Sequence, residues 1–203
     1  DEAARAASSE AKKRLQHMWL KTFARADLYQ CLEAAKGGAK TSEEERLVGQ
    51  VLGQFRQAGA ALAGSERRAE VTALQERCSA LAFEVEQNIN EDTTAVHLSE
   101  PELMGCGEEF VRSLPAVSAG EVATAQRLCS VKAPVLAPIL KRADSGETRR
   151  KMMEASQLRC KEKNGPLLDE LFAKRHAAAV GLGFASHAER MLSAKMAGTP
   201  GEA

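Results

Sequence analysis

Aromatic residues are scarce in this 203-residue chain: they make up 4% of it, whereas hydrophobic residues as a whole make up 44%. Its core must therefore be built mainly of aliphatic side chains, and a chain of this length can bury one substantial core. The formal net charge is zero, with 28 basic and 28 acidic residues. This balance argues against nucleic acid and against an anionic membrane as partners.

Long apolar runs and paired cysteine motifs are also missing. No run approaches the ~20 residues of a membrane-spanning helix. The cysteines are odd in number and show no CxxC spacing: Cys31, Cys78, Cys106, Cys129 and Cys160. These features indicate a reducing compartment, so we expect a cytoplasmic protein without a disulfide scaffold or a Cys-type zinc site.

Histidines and carboxylates do not fall into a catalytic or metal-binding spacing. The histidines are His17, His97, His176 and His187. No two of them stand at the i, i+4 spacing of a helical HExxH zinc motif. The acidic group formed by Glu84, Glu86, Glu91 and Asp92 is interpreted as a solvated helix face and turn. We therefore expect no catalytic and no metal-binding residue in this chain.

Cys160 is the one residue with a case for chemical reactivity. Arg159 and Lys161 flank it, and neighbouring cations favour the nucleophilic thiolate. The alternative is a buried core cysteine, which packs as a small hydrophobic residue. Cys160 is therefore a candidate reactive thiol, with that alternative open.

Apolar residues recur at spacings of three and four along most of the chain, which predicts amphipathic helices. Residues 1–92 are predicted to form a layer of three helices, over residues 8–35, over residues 41–62 behind a Thr41/Glu44 capping box, and from Ser65 onward. The third is the longest, and its apolar stripe comprises Val71, Leu74, Cys78, Leu81, Val85 and Ile89. We expect this helix to be the spine of the structure.

The rest of the chain is predicted to hold one small β element between helices. Residues 93–130 contain short strands and turns, and strands over 93–98 and 121–129 are expected to pair as a two-stranded ribbon. Residues 131–203 return to helix, with one helix starting at Ser145 and a break at Asn164-Gly165-Pro166. The predicted fold class is therefore all-α, mostly amphipathic helices, with one small two-stranded β element.

Both ends of the chain indicate a piece of a longer protein. Asp1 is not an initiator methionine, and Thr199-Pro200-Gly201-Glu202 has the pattern of a helix start with only Ala203 remaining. Helices missing from such a piece would leave apolar surface uncovered. We therefore expect exposed apolar side chains and self-association through them.

Two runs resemble the thimet oligopeptidase and neurolysin family of zinc metallopeptidases. They are NINEDTT at residues 88–94 and ETRRKM with RCKEKN within residues 147–164. Surrounding segments agree in order and spacing, among them Asp27-Leu28-Tyr29-Gln30 and Leu182-Gly183-Phe184. The similarity covers nearly the whole chain, although none of these runs is a catalytic signature.

The resemblance implies a mostly helical, two-lobed molecule around a deep channel, in which zinc held by HExxH and a downstream Glu cleaves short peptides. Residues 1–203 would be part of the N-terminal lobe, forming a wall of the substrate channel and restricting access to it. Zinc would belong to the full-length parent and short peptides would be its substrates, so this chain alone should be inactive. The family's dependence on thiols also implies that Cys160 is redox-sensitive and forms intermolecular disulfides.

Two segments depart from the family pattern. Residues 133–138, APVLAP, keep both prolines of a usually aromatic-rich run but none of its rings, and Gly105-Cys106-Gly107 stands where Gly-Leu-Pro is more usual.

Two other functions of the chain stay open. One is a stand-alone helical protein-interaction module, whose amphipathic faces bind a partner helix. The other is a dipeptidyl carboxypeptidase of the same superfamily.

Overall fold

The computed structural model describes residues 2–117 and 126–203, and it is mostly helical, as the sequence predicts. The helices are α1 (Glu2–Phe23), α2 (Ala26–Ala35), α3 (Ser42–Ala58), α4 (Ser65–Glu91), α5 (Glu108–Ser113), α6 (Ala133–Arg142), α7 (Gly146–Leu158), α8 (Lys161–Gly181) and α9 (His187–Leu192). The strands are β1 (Ala95–Ser99), β2 (Ala116–Val117) and β3 (Gln126–Ser130), and short 3-10 turns lie at Lys36–Gly38 and Pro101–Leu103.

Contacts divide the chain into two units. Unit 1 is Asp1–Val85 with Pro166–Ala203, and unit 2 is Glu86–Gly165. The division predicted at residues 92 and 130 follows the type of element along the chain, and it stays a prediction.

Unit 1 is built of helices whose ends follow the capping signals of the sequence. The predicted box is present: the Thr41 hydroxyl accepts from the Glu44 N–H at 3.2 Å, and the Glu44 carboxylate accepts from the Thr41 N–H at 3.2 Å. At its other end α3 stops at Gly59, which has a left-handed φ of 93°. The buried apolar residues of this unit are Leu52, Phe55, Ala58, Ala60, Val71, Leu81, Leu171, Ala178 and Ala179.

The single helix predicted over residues 8–35 is wrong, because α1 ends at Phe23 and α2 begins at Ala26. The ring of Phe55 lies 4.9 Å from that of Phe23 and 6.4 Å from that of Tyr29, centroid to centroid. Two residues six apart point to different sides of a straight helix. The break therefore lets both rings approach Phe55.

Unit 2 contains a three-stranded sheet. The predicted pairing of the strands near 93–98 and 121–129 is confirmed by β1 with β3, but the predicted number of two strands is wrong. The strand order of the sheet is β1-β3-β2 and both pairings are antiparallel, with Leu98 opposite Arg127 and Ala116 opposite the same residue on the other side. The two residues of β2 are too few to show alternation in the sequence. Of the strand predicted over 121–129, residues 121–125 lie outside the described residues, and β3 begins at Gln126.

The sheet and helices of unit 2 enclose one hydrophobic cluster. Its buried members are Leu98, Leu103, Cys106, Leu114, Cys129, Val131, Ile139, Ala143 and Met152. Ser145 caps α7 as the sequence predicts, since its hydroxyl accepts from the Thr148 N–H at 3.2 Å. The Thr148 hydroxyl in turn donates to the Glu102 carbonyl at 3.0 Å, which joins α7 to the turn after β1.

The predicted break at Asn164-Gly165-Pro166 is wrong as well. Helix α8 runs from Lys161 to Gly181 through all three residues. Pro166 stands early in this helix, where it removes one backbone hydrogen bond without ending the run. The chain breaks instead between α7 and α8, where Arg159 leaves the helical conformation and Cys160 has a positive φ of 57°.

Candidate functional site

A cavity of about 610 Å³ in unit 2 brings together the two runs that carry the family resemblance. Its walls are the end of α4, the turn after it, and the junction of α7 with α8. The lining residues are Asn88, Glu91, Asp92, Thr93, Leu158, Cys160, Lys161, Glu162 and Lys163. Residues 88–94 and 159–164 are about 70 positions apart in the sequence, yet they form one site.

Asp92 shapes the wall that follows α4. Its carboxylate accepts from the Thr94 N–H at 3.1 Å and from the Thr94 hydroxyl at 2.8 Å. Such local bonds end a helix and turn the chain, and β1 begins three residues later. Burial opposes ionisation of this group, but the bonds from Thr94, the Cys160 thiol and the charge of Arg159 hold the pKa of Asp92 below its ordinary value. The cavity therefore has a negative charge in its wall at neutral pH.

Cys160 forms the opposite wall and is fixed at both its backbone and its side chain. Among the described residues other than glycine, it alone has a positive φ, a conformation that costs an L-residue energy. Its Sγ donates to the Asn88 carbonyl at 3.2 Å and lies 3.7 Å from Asp92 Oδ1. Its own carbonyl accepts from the Asn164 N–H at 2.7 Å, at the start of α8.

A pair of asparagines joins the two walls. Asn88 Nδ2 donates to Asn164 Oδ1 at 2.8 Å, and Asn164 is only 6% exposed. Sequence reasoning predicted a break at Asn164-Gly165-Pro166 and so missed this contact. The sequence signal that could have revealed this contact is the presence of asparagine in both runs that resemble the family. We define the Cys160 site as Asn88, Asp92, Cys160 and Asn164.

The chemistry open to the Cys160 site is that of a partly buried thiol beside two oxygen acceptors. No histidine lines its cavity, so the site lacks the adjacent base of a Cys/His nucleophile. His97, the histidine of unit 2, is exposed on β1. The reactivity of Cys160 stays a prediction.

The other cysteines have different settings. Burial raises the pKa of Cys106, and it raises that of Cys129 to about 11, with Cys106 and Glu102 acting in the same direction. Burial also raises the pKa of Cys78, although the nearby cations of Arg175, Arg190 and Lys174 oppose that rise. Thiols with raised pKa values are poor nucleophiles at neutral pH. Cys31 is exposed.

The residues present do not fit a zinc ion. Within residues 2–117 and 126–203, no three or more His, Cys, Asp or Glu side chains are grouped so that they could hold a metal. No step of a zinc-dependent reaction is therefore assigned to this chain. Over the same residues, no helix combines the length and the apolar character needed to cross a membrane.

The two departures from the family pattern both lie in unit 2. The proline-flanked run lies in α6, with Pro134 in its first turn, Pro138 inside it and Ile139 as its buried residue. Gly105 and Gly107 both have a φ of 88° on either side of buried Cys106. They line a second depression, of about 670 Å³, with Glu100, Leu103, Met104, Glu108, Val111 and Arg112.

Comparison with known proteins identifies one family. The model for "Peptidase family M3" matches residues 139–203. A "Probable thimet oligopeptidase" from Arabidopsis thaliana is 28% identical over 197 residues, covering 96% of this chain and 27% of the relative. A "Thimet-like oligopeptidase" from Dictyostelium discoideum is 28% identical over 191 residues, covering 91% of this chain and 28% of the relative.

A third relative, "Oligopeptidase PhomG" from Diaporthe leptostromiformis, is 30% identical over 148 residues, covering 72% of this chain and 20% of the relative. The chain thus spans about a quarter of the length of the curated relatives that it matches.

Proposed function

Because this chain belongs to the thimet oligopeptidase family, we propose that it is a non-catalytic part of a zinc-dependent oligopeptidase that hydrolyses short peptides. It forms one wall of the substrate channel and restricts access to it. The observation that carries this proposal is the alignment with a probable thimet oligopeptidase over 96% of the chain. A cytoplasmic location accompanies it, since a reducing compartment keeps the five cysteines free.

The residues of this chain indicate which part of the reaction belongs to it and which to the longer protein. Zinc, when bound, polarises the scissile carbonyl and lowers the pKa of its water. The HExxH motif that holds zinc is absent from these 203 residues, so the longer parent protein supplies it. This chain contributes a helical surface, and a narrow channel formed with it admits oligopeptides and excludes folded proteins.

The test compares the longer protein with this chain alone on an internally quenched peptide. We expect the longer protein to cleave it, a chelator to stop cleavage and added Zn²⁺ to restore it, while the chain alone is inactive. Chelator-sensitive cleavage by the chain alone would overturn the proposal. Mass spectrometry of the products separates internal cleavage from stepwise release of C-terminal dipeptides, which would indicate the dipeptidyl carboxypeptidase.

We also propose that Cys160 is the redox-sensitive thiol of this chain and forms intermolecular disulfides under oxidising conditions. It is partly buried at the edge of a cavity, whereas Cys106 and Cys129 are fully enclosed. Size-exclusion chromatography with and without reductant tests this. Cys160→Ser should abolish a reductant-sensitive dimer and Cys31→Ser, at an exposed position, should not. An unchanged monomer under oxidising conditions would contradict the proposal.

A protein-interaction role is the second candidate, favoured by an exposed apolar face on α1. Leu15 and Met18 are each more than half exposed, although large apolar side chains are usually covered. We propose that the chain self-associates through this face. Light scattering should show association in the wild type and a monomer for Leu15→Glu, with the exposed polar substitution Lys12→Glu as the control. A strictly monomeric wild type would contradict this role.

A further inference from the structure

A second cavity, of about 320 Å³, lies in unit 1 and combines aromatic rings, glutamine amides and one arginine. It is lined by Trp19, Leu20, Phe23, Gln54, Gln57, Ala58, Gln75 and Arg190. The rings of Trp19 and Phe23 are stacked, with centroids 5.4 Å apart. Sequence reasoning missed this cavity, because its residues come from α1, α3, α4 and α9.

Arg190 is a half-buried cation that forms no ion pair with a carboxylate of the described residues. Its Nη2 donates to the Gln57 carbonyl at 3.3 Å, while its Nε is fully enclosed and has no acceptor among the described residues. Burial lowers the pKa of Arg190, and the only group in the described chain that acts to raise it is the Cys78 thiol. A buried charge without a counter-ion is costly.

Several of the charges near Arg190 are positive. Arg175 and Arg190 both lower the pKa of His187, after the larger effect of its burial. His187 Nδ1 is also enclosed without an acceptor in the part of the chain that the structure describes. Lys174 adds a further positive charge near Cys78. The region of unit 1 around Arg190 is therefore suited to bind an anion.

The glutamines define which anion fits. Gln75 Nε2 donates to the Gln57 carbonyl at 2.9 Å, and Gln57 Nε2 donates to the Arg190 carbonyl at 3.4 Å. Side-chain amides offer both donors and acceptors, as a peptide backbone requires, and their oxygens disfavour a phosphate dianion. A peptide's last residue combines a carboxylate, an amide and a side chain at one carbon, which matches the arginine, the glutamines and the aromatic rings.

We propose that this cavity binds the free C-terminal residue of a peptide, with the Arg190 guanidinium pairing with the carboxylate and Trp19 and Phe23 contacting the side chain. The proposal rests on the proposed function only in taking a short peptide as the ligand. A charge-assisted arginine–carboxylate pair supplies the selectivity. The cavity is then a peptide-binding site within the helices of unit 1.

Trp19 is the only tryptophan of the chain, so its fluorescence reports directly on this cavity. The probes are acetyl-Ala-Phe with a free carboxylate and the same peptide with a C-terminal amide. We expect the free acid to change the fluorescence saturably and the amide to bind about 10-fold more weakly or worse, since the amide lacks the charge that pairs with arginine. Equal binding of acid and amide, or no saturable binding of the acid, would overturn the proposal.

Substitutions test whether the preference for the free acid over the amide depends on Arg190. Arg190→Gln should remove the preference for the acid over the amide, and Arg190→Lys should keep part of it. The control is Arg46→Gln, the same substitution at an exposed position of α3 in the same unit, which should keep the full preference. Retention of the preference in Arg190→Gln would overturn the assignment of this residue. Circular dichroism verifies folding, and the acid–amide comparison on the wild type remains decisive if Arg190→Gln does not fold.

A third probe separates a chain terminus from an acidic side chain. Acetyl-Glu-Phe-amide has a carboxylate but no free terminus, and it should bind as weakly as acetyl-Ala-Phe-amide. Binding as tight as that of the free acid would overturn the terminal selectivity. All of these readouts measure binding without peptide hydrolysis, so their failure leaves the zinc oligopeptidase proposal standing. Loss of the oligopeptidase proposal would likewise leave a measured binding site intact.

Discussion

The two units differ in what they bury. Unit 2 encloses a cluster that includes Leu98, Leu103, Ile139 and Met152, contributed by a strand, a turn and two helices. The buried residues of unit 1 include four alanines, and its first helix leaves large apolar side chains exposed. Large buried side chains fix their neighbours more strongly than alanines do. This difference indicates that a packed core fixes the Cys160 site of unit 2, whereas unit 1 exposes surfaces suited to ligands or partners.

Truncation of a buried side chain of unit 2 and of an exposed apolar side chain of unit 1 should have the most unequal effects. Ile139 is completely buried and Leu47 is 60% exposed. Ile139→Ala should cost unit 2 roughly 2–5 kcal/mol, because it leaves a cavity in a packed cluster. Leu47→Ala should change the stability of unit 1 by less than about 0.5 kcal/mol. Hydrogen exchange of β3 and α3 amides measures the two units separately, and similar costs at both positions would contradict the comparison.

Glycine-to-alanine substitutions test the same difference between the two units at the level of the backbone. A Cβ at Gly105 would clash with the Arg142 carbonyl, and Gly105 already has a φ of 88°. Gly105→Ala should therefore destabilise unit 2 by roughly 2–4 kcal/mol. Gly49 in α3 has open space around it, so Gly49→Ala should stabilise unit 1 by up to about 1 kcal/mol. Urea denaturation of both variants checks this, and a neutral Gly105→Ala would show that the turn can relax.

Glu102 should make unit 2 sensitive to acid. The Lys151 ammonium at 2.8 Å, then the Ser99 N–H and hydroxyl, lower the pKa of Glu102 from 4.5 to about 2. Because the folded pKa is the lower one, this stabilisation is complete above about pH 4.5 and is lost as the pH falls towards 2. After allowance for solvent screening, it amounts to about 1–2 kcal/mol.

The matched variants are Glu102→Gln in unit 2 and Asp27→Asn in unit 1. Arg25 lowers the pKa of Asp27 to about 2, but the Asp27 side chain is 62% exposed. Urea midpoints between pH 2 and pH 7 should show a gap between wild type and Glu102→Gln that closes as the pH falls. The gap for Asp27→Asn should be smaller throughout. A pH-independent gap for Glu102→Gln would contradict the role of its charge.

Local signals in the sequence predict much of the helical framework but not how distant segments meet. Thr41 with Glu44, and Ser145, specify their helix starts through bonds within three residues, so they are readable from the sequence. The break at Cys160 was missed because its left-handed backbone is stabilised by contacts with Asn88 and Asp92, far away in the chain. Arg190 likewise becomes notable only when folding removes it from water. Cys160 was identified from its neighbours, but the site around it required the structure.

The smallest expected effect concerns a surface ion pair of unit 1. Arg77 and Glu170 form two charge-assisted bonds of 2.7 and 2.6 Å, and their side chains are 46% and 36% exposed. A double-mutant cycle with Arg77→Ala and Glu170→Ala should give only a small favourable coupling, since exposed pairs are well solvated. The coupling should fall further in 1 M salt, which screens exposed charges strongly. A large coupling that resists salt would show that the Arg77–Glu170 pair is shielded from water in solution. Unit 1 would then be more tightly packed, and closer to unit 2 in this respect, than the comparison of their buried residues indicates.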